Sequence, residues 1–176
     1  MATDIKSTEE IASAMPAEGD LAPDLSLRDD TGVERRLSER RGQWTVLYFY
    51  PKDDTPGCTT EACEFRDAHD QYGARDAAIW GVSVLGTGSK AAFKRKFGLP
   101  FVLLADEDHA VAERYGAWVE KKNYGRPYMG VQRATFLVDP DGRVARRWPR
   151  VKAAGHAAEV IAAIDEERAK LTGRQT

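Results

Sequence analysis

The sequence predicts an α/β fold in which a central mixed β-sheet is flanked by helices on both faces, with an N-terminal β-hairpin at the edge. Three observations predict it. Trp44–Tyr50 and the segment from Ala78 to Val84 are apolar on both alternating faces, as strands covered on both sides are. Each is followed by a stretch with apolar residues three and four apart that stops at a glycine, the pattern of a helix with its end signal. The chain then finishes with two strand-like segments around a turn and one amphipathic helix, and alternation of this kind builds a layered sheet.

Residues 1–18 are polar with no strong period and are expected to form a flexible lead-in to a single domain over 19–172. The domain begins with LAPDLSLRDDTGVERRLSE, which alternates weakly around the turn signal Asp30-Thr31-Gly32 and predicts the hairpin. Trp44–Tyr50 follows as the central strand. After Pro51 the residues Ala62, Phe65, His69 and Tyr72 recur at helical steps as far as Gly73. The strand ending at Val84 leads through a glycine-rich turn into a helix from Ser89 to Gly98, with Phe93 and Phe97 on one face. FVLLAD is a short strand, and Asp106 or Asp108 caps a helix carrying Val111 and Tyr115 that stops at Gly116. VQRATFLV and RVARRW flank Asp139-Pro140-Asp141-Gly142 and form an antiparallel pair. A last helix from His156 aligns Ala157, Val160, Ile161, Ile164 and Leu171.

Composition narrows the function. The chain of 176 residues suffices for one domain with a full core. Its 26 basic and 28 acidic side chains leave a formal charge of −2, which gives no general attraction to nucleic acid or an anionic membrane. No apolar run is long enough to cross a bilayer, and the N-terminus lacks the basic start and apolar stretch of a secretory signal, so a cytoplasmic protein is expected. Two cysteines do not make a secreted disulfide framework. Their use is expected to be chemical.

Both lie in one stretch, YPKDDTPGCTTEACEFRD, where the central strand hands over to a helix. Cys58 follows Pro56 and Gly57, at the expected helix N-terminus. Free backbone N–H groups and the positive end of the helix dipole stabilise an anion there, and the thiolate is the reactive form of cysteine. Thr55 offers a hydroxyl to the sulfur or to a substrate oxygen. In one regular helix Cys58 and Cys63 are turned about 140° apart, with Cα atoms roughly 8.7 Å apart. That exceeds the reach of a disulfide, about 7 Å, so bridging them requires the helix start to unwind. The pair suits turnover between two states better than architecture. Zinc is disfavoured because His69, His109 and His156 are scattered and match no finger spacing.

The run from Pro51 to Cys63, PKDDTPGCTTEAC, resembles the active-site segment of peroxiredoxins of the bacterioferritin comigratory protein type, also called PrxQ. The likeness extends from GDLAPDLSL through GVQRATFLVDPDG to the helix after His156. It implies a thioredoxin-like fold and thiol-dependent reduction of hydrogen peroxide or organic hydroperoxides. By the same likeness Cys58 is the peroxidatic cysteine and Cys63 the resolving cysteine of one chain; Thr55 and Arg133 complete the site, with Pro51 and Gly57 in support. The Cys58–Cys63 disulfide is then recycled by thioredoxin or a similar dithiol, without metal or other cofactor. An internal resolver favours a monomer. Independently, the expected strand Val131–Val138 turns Arg133 toward the same side as Val131, Thr135 and Leu137, where a cation needs an anionic partner such as a thiolate.

Leu85 and Lys90 stand where proteins of this type often carry an acidic residue and a histidine, outside the cysteine turn, and are expected to alter nearby surface. Other readings are weaker. Gly86-Thr-Gly-Ser-Lys90 faintly suggests a phosphate loop but lacks the glycine spacing and the Lys-Ser/Thr ending of one. Arg143, Arg146, Arg147, Arg150 and Lys152 beside Trp148 could hold nucleic acid, yet one stacking ring is few for that role. The alternative within redox chemistry is a thiol-disulfide oxidoreductase acting on proteins, whose cysteines commonly have two residues between them, where this chain has four.

Overall fold

The computed structural model describes residues 2–4 and 7–174. In chain order the elements are β1 (Ala2–Asp4), α1 (Thr8–Ser13), β2 (Ser26–Asp29), β3 (Glu34–Arg36), a 3-10 turn at Leu37–Arg40, β4 (Trp44–Phe49), α2 (Pro56–Asp67), α3 (His69–Gly73), β5 (Ala77–Ser83), α4 (Thr87–Phe97), β6 (Val102–Ala105), α5 (Ala110–Arg114), β7 (Trp118–Asn123), β8 (Arg126–Val131), β9 (Ala134–Val138), β10 (Val144–Trp148) and α6 (His156–Arg174).

Seven strands form the main sheet in the order β10-β9-β4-β5-β6-β2-β3. The pairs β4–β5 and β5–β6 are parallel, with Val46 opposite Ile79 and Val82 opposite Leu104; the other pairs are antiparallel. Because side chains alternate along a strand, β4 feeds two cores. Trp44, Val46, Tyr48 and Tyr50 pack with Phe65 of α2, Tyr72 of α3, Phe93 of α4 and Val160 and Ile164 of α6. Leu47 and Phe49 pack on the other face with Ile11 of α1 and Val111 and Ala112 of α5. This is the expected mixed sheet with helices on both faces.

The N-terminal hairpin forms as expected, and Asp29 organises it. Its buried carboxylate accepts from Thr31 N at 2.8 Å and Val33 N at 3.0 Å and pairs with Arg35 at 2.9 Å. Asp106 performs the expected capping, accepting from Val111 N at 3.2 Å and Ala112 N at 2.8 Å.

Four features differ from expectation. Of the lead-in expected to be flexible, residues 1, 5 and 6 lie outside the described residues, whereas Thr8–Ser13 is a helix packed on the domain. Ser7 and Glu10 form a reciprocal capping box, Ile11 and Met15 are buried, and Arg147 donates to the carbonyls of Ala12, Met15 and Pro16 at the helix end. The helix expected up to Gly73 is broken at Ala68, which leaves helical geometry at φ −96°, ψ 2°.

A hairpin was not expected at β7–β8. Its strands are largely exposed and polar, and Pro127 lies in an edge strand, so no apolar alternation announces it. The signal that remains is the two-residue turn Tyr124-Gly125, both with positive φ (51° and 80°). Finally, Val131–Val138 is not one strand. β8 ends at Val131 in a separate sheet with β1 and β7, and Gln132 and Arg133 lie between it and β9, so the predicted face-sharing of Arg133 does not apply.

Candidate active site

β4 delivers the chain to a tight turn over residues 51–55. Half-buried Pro51 opens it, and Asp54 takes a left-handed conformation at φ 58°. Thr55 is extended, and its carbonyl accepts from Thr59 N at 2.8 Å to start α2. Pro56 occupies the first helical position, where the missing N–H costs nothing. Cys58 therefore sits in the first turn of α2, at the positive end of the helix dipole, and is 1% exposed.

Arg133 reaches this sulfur from another part of the chain. Ala134 pairs with Phe49, so the residue before β9 lies beside the end of β4, where the turn departs. Arg133 Nη2 donates to Cys58 Sγ at 3.3 Å, and Nη1 donates to Glu61 Oε1 at 2.7 Å. The planar fork thus bridges two groups one helical turn apart, a task the single ammonium of lysine does less well. Burial opposes the Arg133 charge, but Glu61 and then Cys58 raise its pKa beyond the ordinary value. Gly57 leaves room for this approach. A Cβ at that position would stand 3.1 Å from Arg133 Nη2.

Glu61 is 1% exposed, and burial pushes its pKa up to about 7 against the pull of Arg133. Its other oxygen is buried without a hydrogen-bond partner, as is the Tyr48 hydroxyl. Burial, with the nearby charges of Glu61 and Cys58, keeps the Tyr48 phenol protonated. The sequence reading passed over both residues. Glu61 had a signal, an acid three positions after the cysteine with no basic neighbour; Tyr48 had none that sets it apart from Thr45 and Tyr50, which carry hydroxyls in the same segment.

Cys63 is half-buried in the same helix, and both thiols are free. The helix that holds them also keeps them from bonding, as the roughly 8.7 Å separation of the regular geometry requires. The Thr55 hydroxyl, expected to serve the sulfur or a substrate oxygen, donates to the Lys52 carbonyl at 2.9 Å and closes the turn.

Lys90 also differs. It is 0% exposed, not a surface residue, and its ammonium contacts Asp53 in the cysteine turn, with Oδ2 at 3.3 Å. Ser89 donates to the same carboxylate at 2.8 Å, so the lysine and serine of the phosphate-loop reading both face inward. The basic hairpin side chains are likewise engaged within the chain. Arg143 donates to Gly19 O at 3.0 Å, Arg146 pairs with Glu166 and Glu167, and Arg147 holds the end of α1.

Comparison with known proteins places the chain in a family. Residues 19–147 match the model of the AhpC/TSA family. Peroxiredoxin Bcp of Bacillus subtilis is 50% identical over 143 residues, 81% of this chain and 91% of that protein. Peroxiredoxin Bcp of Escherichia coli K12 is 40% identical over 138 residues, 78% and 88% of the two chains. A structure of Xanthomonas campestris peroxiredoxin Q superposes with a TM-score of 0.80 at 38% identity, covering 87% of this chain and 97% of its own. Another, covering 87% and 98% at the same score and identity, concerns the alkyl peroxide reduction activity of the bacterioferritin comigratory protein of that organism.

Proposed function

The chain belongs to the AhpC/TSA family and is a thiol-dependent peroxidase of the Bcp/PrxQ kind, and from that premise we propose that Cys58 attacks the peroxide and Cys63 resolves the product. The observation that carries this assignment is the 3.3 Å contact from Arg133 Nη2 to the Cys58 sulfur at a helix N-terminus. A cation and free N–H groups around one sulfur are what a reactive thiolate needs. A sulfur only 1% exposed suits a small peroxide better than a protein disulfide, which argues against the oxidoreductase alternative.

The Cys58 thiolate attacks one peroxide oxygen in line; the O–O bond breaks, and the departing alkoxide or hydroxide takes a proton to leave as alcohol or water. Arg133 and the first-turn amides stabilise that developing negative charge. The peroxide competes with the Lys52 carbonyl for the Thr55 hydroxyl, which then turns toward substrate. Cys58 is left as a sulfenic acid, oxidised by two electrons. The start of α2 unwinds, the Cys63 thiol attacks the Cys58 sulfur, and the sulfenic oxygen leaves as water while the disulfide forms.

The family acts on peroxides and takes electrons from a thioredoxin-like reductant. We assign hydrogen peroxide and organic hydroperoxides as substrates and thioredoxin or a similar dithiol as reductant. We further assign the chain as a monomer in the cytoplasm, without nucleic-acid or membrane partners. The internal engagement of Arg143, Arg146 and Arg147 argues against nucleic acid as a partner; no helix among the described residues is long and apolar enough to cross a membrane. Replacing Cys58 with serine tests the assignment. Peroxide consumption with thioredoxin and its reductase should stop, whereas turnover that persists would remove Cys58 from the mechanism.

A further inference from the structure

The turn ahead of Cys58 is held from one side by α4. Lys90, in the first turn of that helix, places its ammonium 3.3 Å from Asp53 Oδ2 and 2.7 Å from Ser83 Oγ, with the Tyr50 ring 5.4 Å away. Asp53 is buried as well and accepts from Ser89 Oγ at 2.8 Å and from the Tyr50 hydroxyl. Every charge in this cluster is matched. Burial lowers the Lys90 pKa while Asp53, and behind it Asp106 and Glu107, work to raise it.

The same helix grips on both sides of the cysteines. Lys96 pairs with Asp54 at 2.8 Å on the surface, and the Phe97 carbonyl accepts from Arg66 of α2 at 2.7 Å. Cys58 and Cys63 lie between these grips. Bridging them requires the chain between to unwind, and a chain held at Asp53 and Asp54 can swing only from Thr55 onward.

We propose that the Asp53–Lys90 pair is a latch that favours the folded, peroxide-reactive form of the Cys58 turn and so slows the unwinding that brings Cys58 to Cys63. The inference rests on the reading of Cys58 and Cys63 as attacking and resolving thiols. Lys90 is a positioning residue, since it acts on Cys58 only through Asp53 and the turn. A latch of this kind sets how long the sulfenic acid persists. Longer persistence gives a second peroxide time to oxidise it to sulfinic acid.

Removing one partner alone would strand a buried charge and endanger folding. The test therefore uses Asp53→Asn/Lys90→Met, which leaves no charge, and Ser89→Ala, which removes one donor to Asp53 and adds no bulk. Each reduced protein is mixed with hydrogen peroxide, quenched with acid at set times and weighed intact, resolving sulfenic, disulfide and sulfinic forms. In the double variant the peroxide-dependent first step should slow about fivefold, the disulfide-forming step should quicken about fivefold, and the sulfinic fraction should fall. Ser89→Ala should quicken the second step about threefold.

A purely structural role would leave both steps unchanged or slow both. Either of those results, in the double variant or in Ser89→Ala should the double variant not fold, overturns the latch. A wild-type protein that forms sulfenic acid but never the disulfide overturns instead the assignment of Cys63 on which the latch rests.

Discussion

Arg133 donates to the Cys58 sulfur at 3.3 Å although 75 residues separate them in the sequence. The same guanidinium holds Glu61 at 2.7 Å, so cation, thiol and carboxylate form one buried unit at the start of α2.

Arg133→Met should keep much of the side-chain volume and lose both contacts. Losing one charge-stabilising donor typically costs about 10²–10³-fold, so the second-order rate of Cys58 oxidation should drop by that order. Stopped-flow oxidation with hydrogen peroxide checks this, and a rate within about threefold of wild type would remove Arg133 from the chemistry.

Gly57→Ala tests the approach of that guanidinium without touching it. The new methyl would stand 3.1 Å from Nη2 and force it to shift. Oxidation of Cys58 should slow by roughly tenfold, as small misplacements at reacting centres do. Thermal stability should hardly fall, because alanine is the better helix former. An unchanged rate would mean the arginine adjusts freely, and its observed position would then matter little.

Glu61 makes stability depend on pH in a definite direction. Its pKa is about 7 in the folded chain against an ordinary 4.5, so between those values the folded state keeps a proton that the unfolded state has lost. Stability therefore falls as pH rises through that window, by an amount on the order of 3 kcal/mol once ionisation is complete. Urea melts of wild type and Glu61→Gln at about pH 5 and pH 8 isolate the effect. The variant should lose less stability than wild type between the two; parallel losses would show that Glu61 titrates normally.

The folding pattern was legible where apolar periodicity is strong. The buried strand Trp44–Tyr50 and the stripe of the last helix can be read from spacing alone, because burial dictates both patterns. β7–β8 escaped because exposed polar strands carry no such period. The cysteine turn was legible from Pro56, Gly57 and Cys58, since these residue types together specify a helix start. What stayed hidden depends on tertiary approach. Lys90 reads as a surface residue until Asp53 and Ser83 are seen to close around it. Thr55 reads as a donor to the sulfur or to a substrate oxygen, and only the turn geometry shows its hydroxyl held by the Lys52 carbonyl.

The assignment of Cys58 and Cys63 as one internal redox pair is tested most directly by intact mass under non-reducing, denaturing conditions, before and after one equivalent of hydrogen peroxide. Wild type should lose about 2 mass units as a monomer, with both thiols gone, and Cys63→Ser should gain about 16 units, and about 32 once a second equivalent is added, as its unresolved Cys58 is oxidised further. A wild-type mass that does not change, or a disulfide-linked dimer in place of the lighter monomer, would contradict the account.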